Sequence, residues 1–268
     1  MKISDINFNK YKYIIMSSII LALIICIFAV IKIFYIPDSD KKEEVPENAS
    51  VSTTQMQAGG FAGDNSILFI CNNDNVGDAL FAVIFDFHIY SEKIVVTPLD
   101  LSVSDGEKTY SEYYRYSGVD ALMQAVENVR KTDIDRYMII DKSGIGDFTE
   151  ALGNVKLYVE EDYTYLASDK SYEVKAGSNE LESEMLFSYL RIICSKPDGL
   201  TRLCDVICTI ANSYIADMKP DDALDLFGDI CNSVTTDITI SDFYSWENDI
   251  VYLLSHETEC VAYDRVEQ

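Results

Sequence analysis

The chain has 268 residues and a formal net charge of −24, from 45 acidic and 21 basic side chains. A hydrophobic fraction of 48%, with 12% aromatic residues, excludes wholesale disorder and supplies one sizeable core. So acidic a surface repels nucleic acid and anionic headgroups and argues against direct DNA contact, while its ordinary consequence is solubility.

From Tyr13 to Ile31 no side chain is charged, and most positions are Ile, Leu, Ala, Val or Phe. As a helix this stretch rises about 28 Å, close to the hydrocarbon thickness of a bilayer. Lys32 can snorkel and Tyr35 suits the aromatic belt, so residues 13–36 are expected to form a transmembrane helix. Lys2, Lys10 and Lys12 precede the span against Asp5 alone, whereas Asp38, Asp40, Glu43 and Glu44 follow it. The positive-inside rule makes residues 1–12 a cytoplasmic tail and puts the remainder on the outer face of the plasma membrane. A cleaved signal peptide is the competing reading, but bulky Ile33-Phe34-Tyr35-Ile36 stands where a small-residue cleavage site is needed. Residues 1–36 carry a net +3, which leaves −27 on the 232 residues that follow.

Residues 37–65 mix Pro, Ser, Thr, Gly, Asn and charge without periodicity and read as a flexible linker, with a sequon pattern at Asn48-Ala49-Ser50. Ser66 to Cys71, Leu80 to Tyr90 and Lys93 to Thr97 read as strands, the last two joined by a turn at Tyr90-Ser91-Glu92. Ser117-Gly118-Val119-Asp120 has capping-box form, and Val119, Leu122, Met123, Val126 and Val129 follow at helical spacing. Tyr137 to Ile140 reads as a buried strand, Phe148 to Leu152 as a short helix ending at Gly153, and Val155 to Val159 as a further strand. This alternation implies one layered α/β/α domain, set at residues 66–256, with the five strands in a mixed sheet. Its last third reads as helices over Glu182 to Ile193, Leu200 to Ile215, Asp221 to Cys231 and Ser241 to Leu254, each with an apolar stripe of period near 3.6. Residues 257–268 read as a C-terminal tail.

Six of the seven cysteines follow the expected anchor, with no CxxC pair and no histidine beside them. Cys204 and Cys208, one helical turn apart, suit two thiols on one buried face; buried free thiols are expected, with one or two disulfides as the alternative. His88 and His256 have no nucleophile or ligand at recognisable spacing and read as surface histidines. Tyr113, Tyr114 and Tyr116 read as packing in a sheet or groove.

The order of these pieces resembles the LytR-CpsA-Psr family of cell-envelope proteins over residues 65 to 256. Ile67 to Ile70 followed by Cys71-Asn72-Asn73-Asp74-Asn75 sits where the family has a strand and a G-x-D-x-R turn, and Asp78 falls at the aspartate of an S-D-T triplet. Thr97-Pro98-Leu99-Asp100 stands for I-P-R-D, Tyr114-Arg115-Tyr116-Ser117-Gly118 for Y-x-Y-G-G, and Glu150-Ala151-Leu152-Gly153-Asn154-Val155 for D-A-L-G-G-V. Leu181-Glu182-Ser183-Glu184 running into Tyr189-Leu190-Arg191 resembles L-D-G-E-x-A-L-x-Y-x-R. Arg202 falls at the arginine of an R-Q-Q helix, and Thr235-Thr236-Asp237-Ile238-Thr239 resembles a T-D-L-S lead into the last helix.

The resemblance implies transfer of a glycopolymer from a polyprenyl pyrophosphate to peptidoglycan. It further implies an apolar cavity for the lipid, arginines on the pyrophosphate, and aspartates holding a divalent metal. Planar guanidinium groups suit phosphate oxygens, and a carboxylate-held metal neutralises a leaving phosphate. The retained ligand candidates are Asp78, Asp100, Arg191 and Arg202, with Arg115 and Asn73 beside them. Asp78 and Asp100 would be the metal ligands, for magnesium or manganese if the chain is active. Without the family, Asp78 reads equally as a turn cap, Asp100 as a strand-ending turn residue, and Arg202 as a surface arginine. Arg191 is read as facing the site because Leu190, Ile192 and Ile193 around it are apolar.

The pattern also breaks. The aspartate and arginine of the first turn are Asn73 and Asn75, the arginine after the proline is Leu99, and the second arginine of the helix is Ile193. Gly199, Leu203 and Cys204 replace further members of the R-x-x-R-Q-Q segment. Each lost charge-assisted hydrogen bond typically costs about 1.5–3 kcal/mol, so pyrophosphate binding should fall by orders of magnitude. The expected function is a degenerate member binding a polyprenyl-(pyro)phosphate-linked glycopolymer, wall polymer or partner at the outer membrane face. The alternative is an active phosphotransferase attaching a teichoic acid or capsule type of glycopolymer to peptidoglycan.

Overall fold

The computed structural model of the chain describes residues 64–73, 77–167 and 170–263. The expected anchor at 13–36, nearly all of the linker, the sequon and Asn75 lie outside the described residues. Among the described residues no helix is long and apolar enough to cross a membrane.

A six-stranded mixed sheet forms the centre, in the order β10-β3-β2-β1-β4-β9. Its strands are β1 (Asn65–Asn72), β2 (Ala79–His88), β3 (Lys93–Leu99), β4 (Arg136–Ile140), β9 (Thr235–Thr236) and β10 (Glu259–Ala262). β1 and β2 pair antiparallel, as do β2 and β3, while β1 with β4 and β3 with β10 run parallel. Between β2 and β3 a 3-10 turn spans Ile89–Ser91, and Glu92 closes it at φ +56°, as the turn expectation required.

Strand periodicity of two decides which residue meets which layer. Leu68 and Ile70 of β1 and Ala82 and Ile84 of β2 turn to α1 (Tyr110–Ser117) and α2 (Val119–Arg130), packing with Tyr110, Tyr114, Leu122 and Val126. Cys71, Phe81, Val83 and Val96 turn the other way, onto α4 (Ser183–Cys194) and α5 (Gly199–Asp217), and meet Leu186, Leu190, Leu203 and Cys204. Leu122 and Leu203 have no exposed surface, and each contributes about 1.5–3 kcal/mol by burial. The remaining helices are α3 (Lys142–Leu152), α6 (Ala223–Ser233) and α7 (Ile240–Ser255).

Four sequence expectations need correction. β5 (Val155–Val159) is not in the main sheet; it pairs antiparallel with β8 (Gly177–Leu181). Its strict alternation of buried Val155, Leu157 and Val159 with exposed Lys156 and Tyr158 fits a one-sided ribbon, not an interior strand. Ser117 does not cap a helix: it ends α1, and Gly118 at φ +86° turns the chain directly into α2. True capping boxes occur at Thr109–Glu112 and Thr239–Asp242, so the last helix begins one residue before Ser241. Finally, Glu259–Ala262 is not tail but an edge strand, pinned to α5 because Asn212 donates to the Cys260 carbonyl and accepts from the Cys260 amide. An unforeseen hairpin, β6 (Tyr163–Ala167) with β7 (Lys170–Val174), lies between β5 and β8 in sequence.

Candidate functional site

The carboxyl ends of β1, β3 and β4 and the start of β2 meet at one end of the sheet, which follows from their pairing registers. Asn72, Asn73, Asp78, Asp100 and Asp141 are therefore gathered at that end. α3 starts there: Asp141 accepts a hydrogen bond from the Gly144 amide, and a Cβ on Gly144 would lie 2.1 Å from the Ser233 carbonyl oxygen. That close approach fixes the first turn of α3 against α6.

An open pocket of about 720 Å³ at this end is lined by Asn72, Asn73, Asp141, Lys142, Ser143, Asp147, Glu150, Ser183 and Glu184 among others. Four carboxylates face one lysine, and Lys142 pairs with Glu184 at 2.8 Å. The Asn73 side-chain oxygen is buried and accepts no hydrogen bond among the described residues. Such a mouth favours neutral or cationic groups over a pyrophosphate.

Behind it lies an apolar cavity of about 300 Å³ between sheet and helices. Cys71, Ile140, Ile145 and Phe148, which line it, are chain neighbours of mouth residues, while Phe69, Phe85, Leu186, Leu190, Ile207, Ile210 and Ala211 form its walls. No polar surface is exposed inside. A second apolar cavity of about 270 Å³, containing Trp246, Phe227 and Leu253, shares Ile67, Phe87, Met138, Ile215 and Ile230 with the first.

The structure brings only part of the expected ligand set to this place. Arg115 on α1 reaches Asp78, with Nε 2.7 Å from Oδ1 and Nη2 on the same oxygen. Next to it the Tyr114 hydroxyl donates to Asn72 Oδ1 at 2.8 Å, and the Asn73 amide donates to the Asp78 carbonyl at 2.7 Å. Asp100 turns onto Ser102, whose hydroxyl and amide donate to it at 2.7 and 2.9 Å and hold its carboxyl below the usual range. Leu99 is in the core beside Tyr110 and Tyr114.

Arg202 sits elsewhere, on α5, donating to Asp198 at 2.6 Å and to Glu160 at 2.7 Å. Arg191 is exposed on α4, its guanidinium 5.8 Å from the Phe187 ring, while Leu186 and Leu190 are the α4 residues at the cavity. Among the described residues no three His, Cys, Asp or Glu side chains are placed to hold a metal. Asp78 is committed to Arg115 and Asp100 to Ser102, so the two expected metal ligands each turn to a protein partner.

Sequence reasoning missed Asp141, Lys142, Asp147, Glu150 and Glu184. The available signal was Asp141-Lys142-Ser143-Gly144 directly after a buried strand, since ligand crevices of open α/β sheets form outside strand carboxyl ends. None of the six described cysteines is joined in a disulfide, and Cys71, Cys204, Cys208 and Cys260 are buried. His88 pairs with Asp64 at 3.0 Å and His256 stacks on Tyr252, and neither lines the pockets above.

The family model of LytR-CpsA-Psr matches residues 88–261. That span contains Asp100, Arg115, Arg191 and Arg202 and leaves Asn73 and Asp78 outside it. The polyisoprenyl-teichoic acid–peptidoglycan teichoic acid transferase TagU of Enterococcus faecalis is 25% identical over 103 residues, 38% of this chain and 33% of the relative. The chain thus matches about a third of the length of that curated relative. Among solved structures, a candidate transcription regulator from Eubacterium siraeum superposes with a TM-score of 0.67 at 20% identity, covering 82% of this chain and 89% of the other. Bacillus subtilis TagV superposes with a TM-score of 0.59 at 16% identity, over 75% and 84%. At these identities the two structures show a shared fold. The matched span, which takes in more than half of the chain, shows that the chain belongs to the LytR-CpsA-Psr family.

Proposed function

We propose that this chain binds a polyprenyl-phosphate- or pyrophosphate-linked glycopolymer by its hydrocarbon tail and does not transfer it. The carrying observation is the wholly apolar cavity between the sheet and α4–α5. Burial of apolar surface at about 25 cal/mol per Å² supplies affinity for an isoprenoid without help from the headgroup. Headgroup recognition is weak by contrast: Arg115 and Arg202 are held by carboxylates, Leu99 is buried, and the mouth is acidic. The relative named as a teichoic acid transferase supports a wall glycopolymer as the cargo. Residues 13–36 would anchor the chain with its N-terminus cytoplasmic and its α/β domain on the outer face of the plasma membrane.

Trp246, the single tryptophan, lines the cavity adjoining the tail site and is a ready reporter. Titrating the full chain in detergent with geranylgeranyl phosphate should change its fluorescence saturably, whereas inorganic pyrophosphate should not. With magnesium or manganese and a polyprenyl-pyrophosphate donor, no glycan phosphate should pass to peptidoglycan oligomers beside an active family member. Robust turnover would establish the transferase reading instead.

A further inference from the structure

A third cavity, of about 300 Å³, lies between β5, the start of β6, the end of α4 and the first half of α5. It shares no lining residue with the apolar cavity. Its volume is at the lower end of the roughly 300–1,000 Å³ range of small-ligand sites. Tyr163 and Tyr189, both 8% exposed, stack there with centroids 5.4 Å apart, while Tyr158 at 69% exposed stands over the rim.

The lining carries Glu160, Glu161, Asp162 and Asp205 against Lys196 and Arg202, and Lys175 from outside it holds Asp162 at 2.9 Å. Arg202 holds Glu160 and Asp198, and Lys196 holds Glu161 at 2.8 Å. A phosphate would meet this acidic lining, and an ammonium would compete with Arg202 and Lys196 for the carboxylates they hold. Hydroxyl groups need not: a guanidinium has five N–H donors, of which these two bonds use two, and each carboxylate keeps free lone pairs. A pyranose ring has the matching character, with C–H faces that lie on an aromatic ring and hydroxyls around the edge.

We propose that this groove binds one or two units of an uncharged pyranose saccharide, with Tyr158 as the stacking platform and the Arg202–Glu160 pair as the hydroxyl partner. The site is separate from the tail cavity and stands whether or not the lipid reading holds.

The test uses the full chain in detergent, titrated calorimetrically with chitotetraose as the neutral saccharide. Saturable binding is expected, weakened about fivefold by Tyr158→Ala and further by Arg202→Gln. The melting temperature of Tyr158→Ala and the Trp246 response to geranylgeranyl phosphate should be unchanged. Absence of binding at millimolar chitotetraose would overturn the proposal. So would binding indifferent to both substitutions, or displacement of the saccharide by a wall-type pentapeptide or inorganic pyrophosphate.

Discussion

Arg115 on the first helix and Asp78 before the second strand are joined through both Nε and Nη2 of the guanidinium to a single carboxylate oxygen. An arginine at this end of the sheet is thereby spent on a neighbour. A retained family position that looks like a metal ligand and an arginine beside the retained set neutralise one another. Both side chains are partly exposed, so the pair matters for ligand choice more than for stability.

Asp78→Asn should release that guanidinium. Inorganic pyrophosphate binding by the full chain is then expected to rise several-fold, up to about tenfold, at low ionic strength and to fade as salt is added. Calorimetry at two salt concentrations checks this. An unchanged weak affinity would mean that the acidic pocket, not the Arg115 pair, sets the limit.

Ala211→Phe should fill the apolar cavity from the α5 wall. A cavity of about 300 Å³ accepts the added ring without crowding, so the melting temperature should change little. The Trp246 fluorescence response to geranylgeranyl phosphate should need at least about tenfold more lipid. Chitotetraose binding, on the other face of the helices, should be unaffected.

Asp242 ties the start of β4 to the start of α7. Arg136 donates to it at 2.5 Å, and the amide and hydroxyl of Thr239 donate at 2.8 and 2.7 Å. The Arg136 guanidinium beside it holds its carboxyl down to about 2 from an ordinary 3.8. A depressed carboxylate contributes stability above its unfolded pKa and loses it as pH falls toward the folded one. Asp242→Asn should therefore lower the melting temperature by about 3–6 °C at neutral pH. The gap between the two proteins should close between pH 3.8 and about 2.

The main strands were legible because their apolar runs are long and their faces alternate: Ile67 to Cys71 and Phe81 to Ile84 declare both layers of the core. The long helices α2 and α5 were legible from their stripes for the same reason. Partnership was not. Nothing local in Val155–Val159 says that Gly177–Leu181 is its neighbour, and four residues of β10 carry too little pattern to reveal a parallel pairing with β3. The candidate site suffered most, because charge is visible in sequence and its commitment is not. Arg202 reads as a free cation until Asp198 and Glu160 are seen holding it. Asp100 reads as a ligand until Ser102 is seen donating to it twice.

Leu99 supplies the sharpest test of how far this chain has moved from a pyrophosphate site. The resemblance places an arginine at this position, which would make Leu99→Arg, with Asn73→Asp and Asn75→Arg, the direct way to restore donor binding. The structure opposes that. Leu99 is 3% exposed and packs with Tyr110 and Tyr114 beneath the first helix, opposite Ala82 of the neighbouring strand. An arginine there exchanges apolar contacts for a buried guanidinium with no designed partner, which costs about 3–5 kcal/mol. For a domain of this size that corresponds to a melting temperature lower by about 10 °C. Leu99→Met, which keeps volume and apolar character, should change it by no more than a few degrees, at a cost below about 1.5 kcal/mol. Thermal unfolding of the two variants beside the parent decides between the readings. A stable Leu99→Arg protein with raised pyrophosphate affinity would show that the pocket near Asp100 still opens to a headgroup, and the transferase reading would regain its footing.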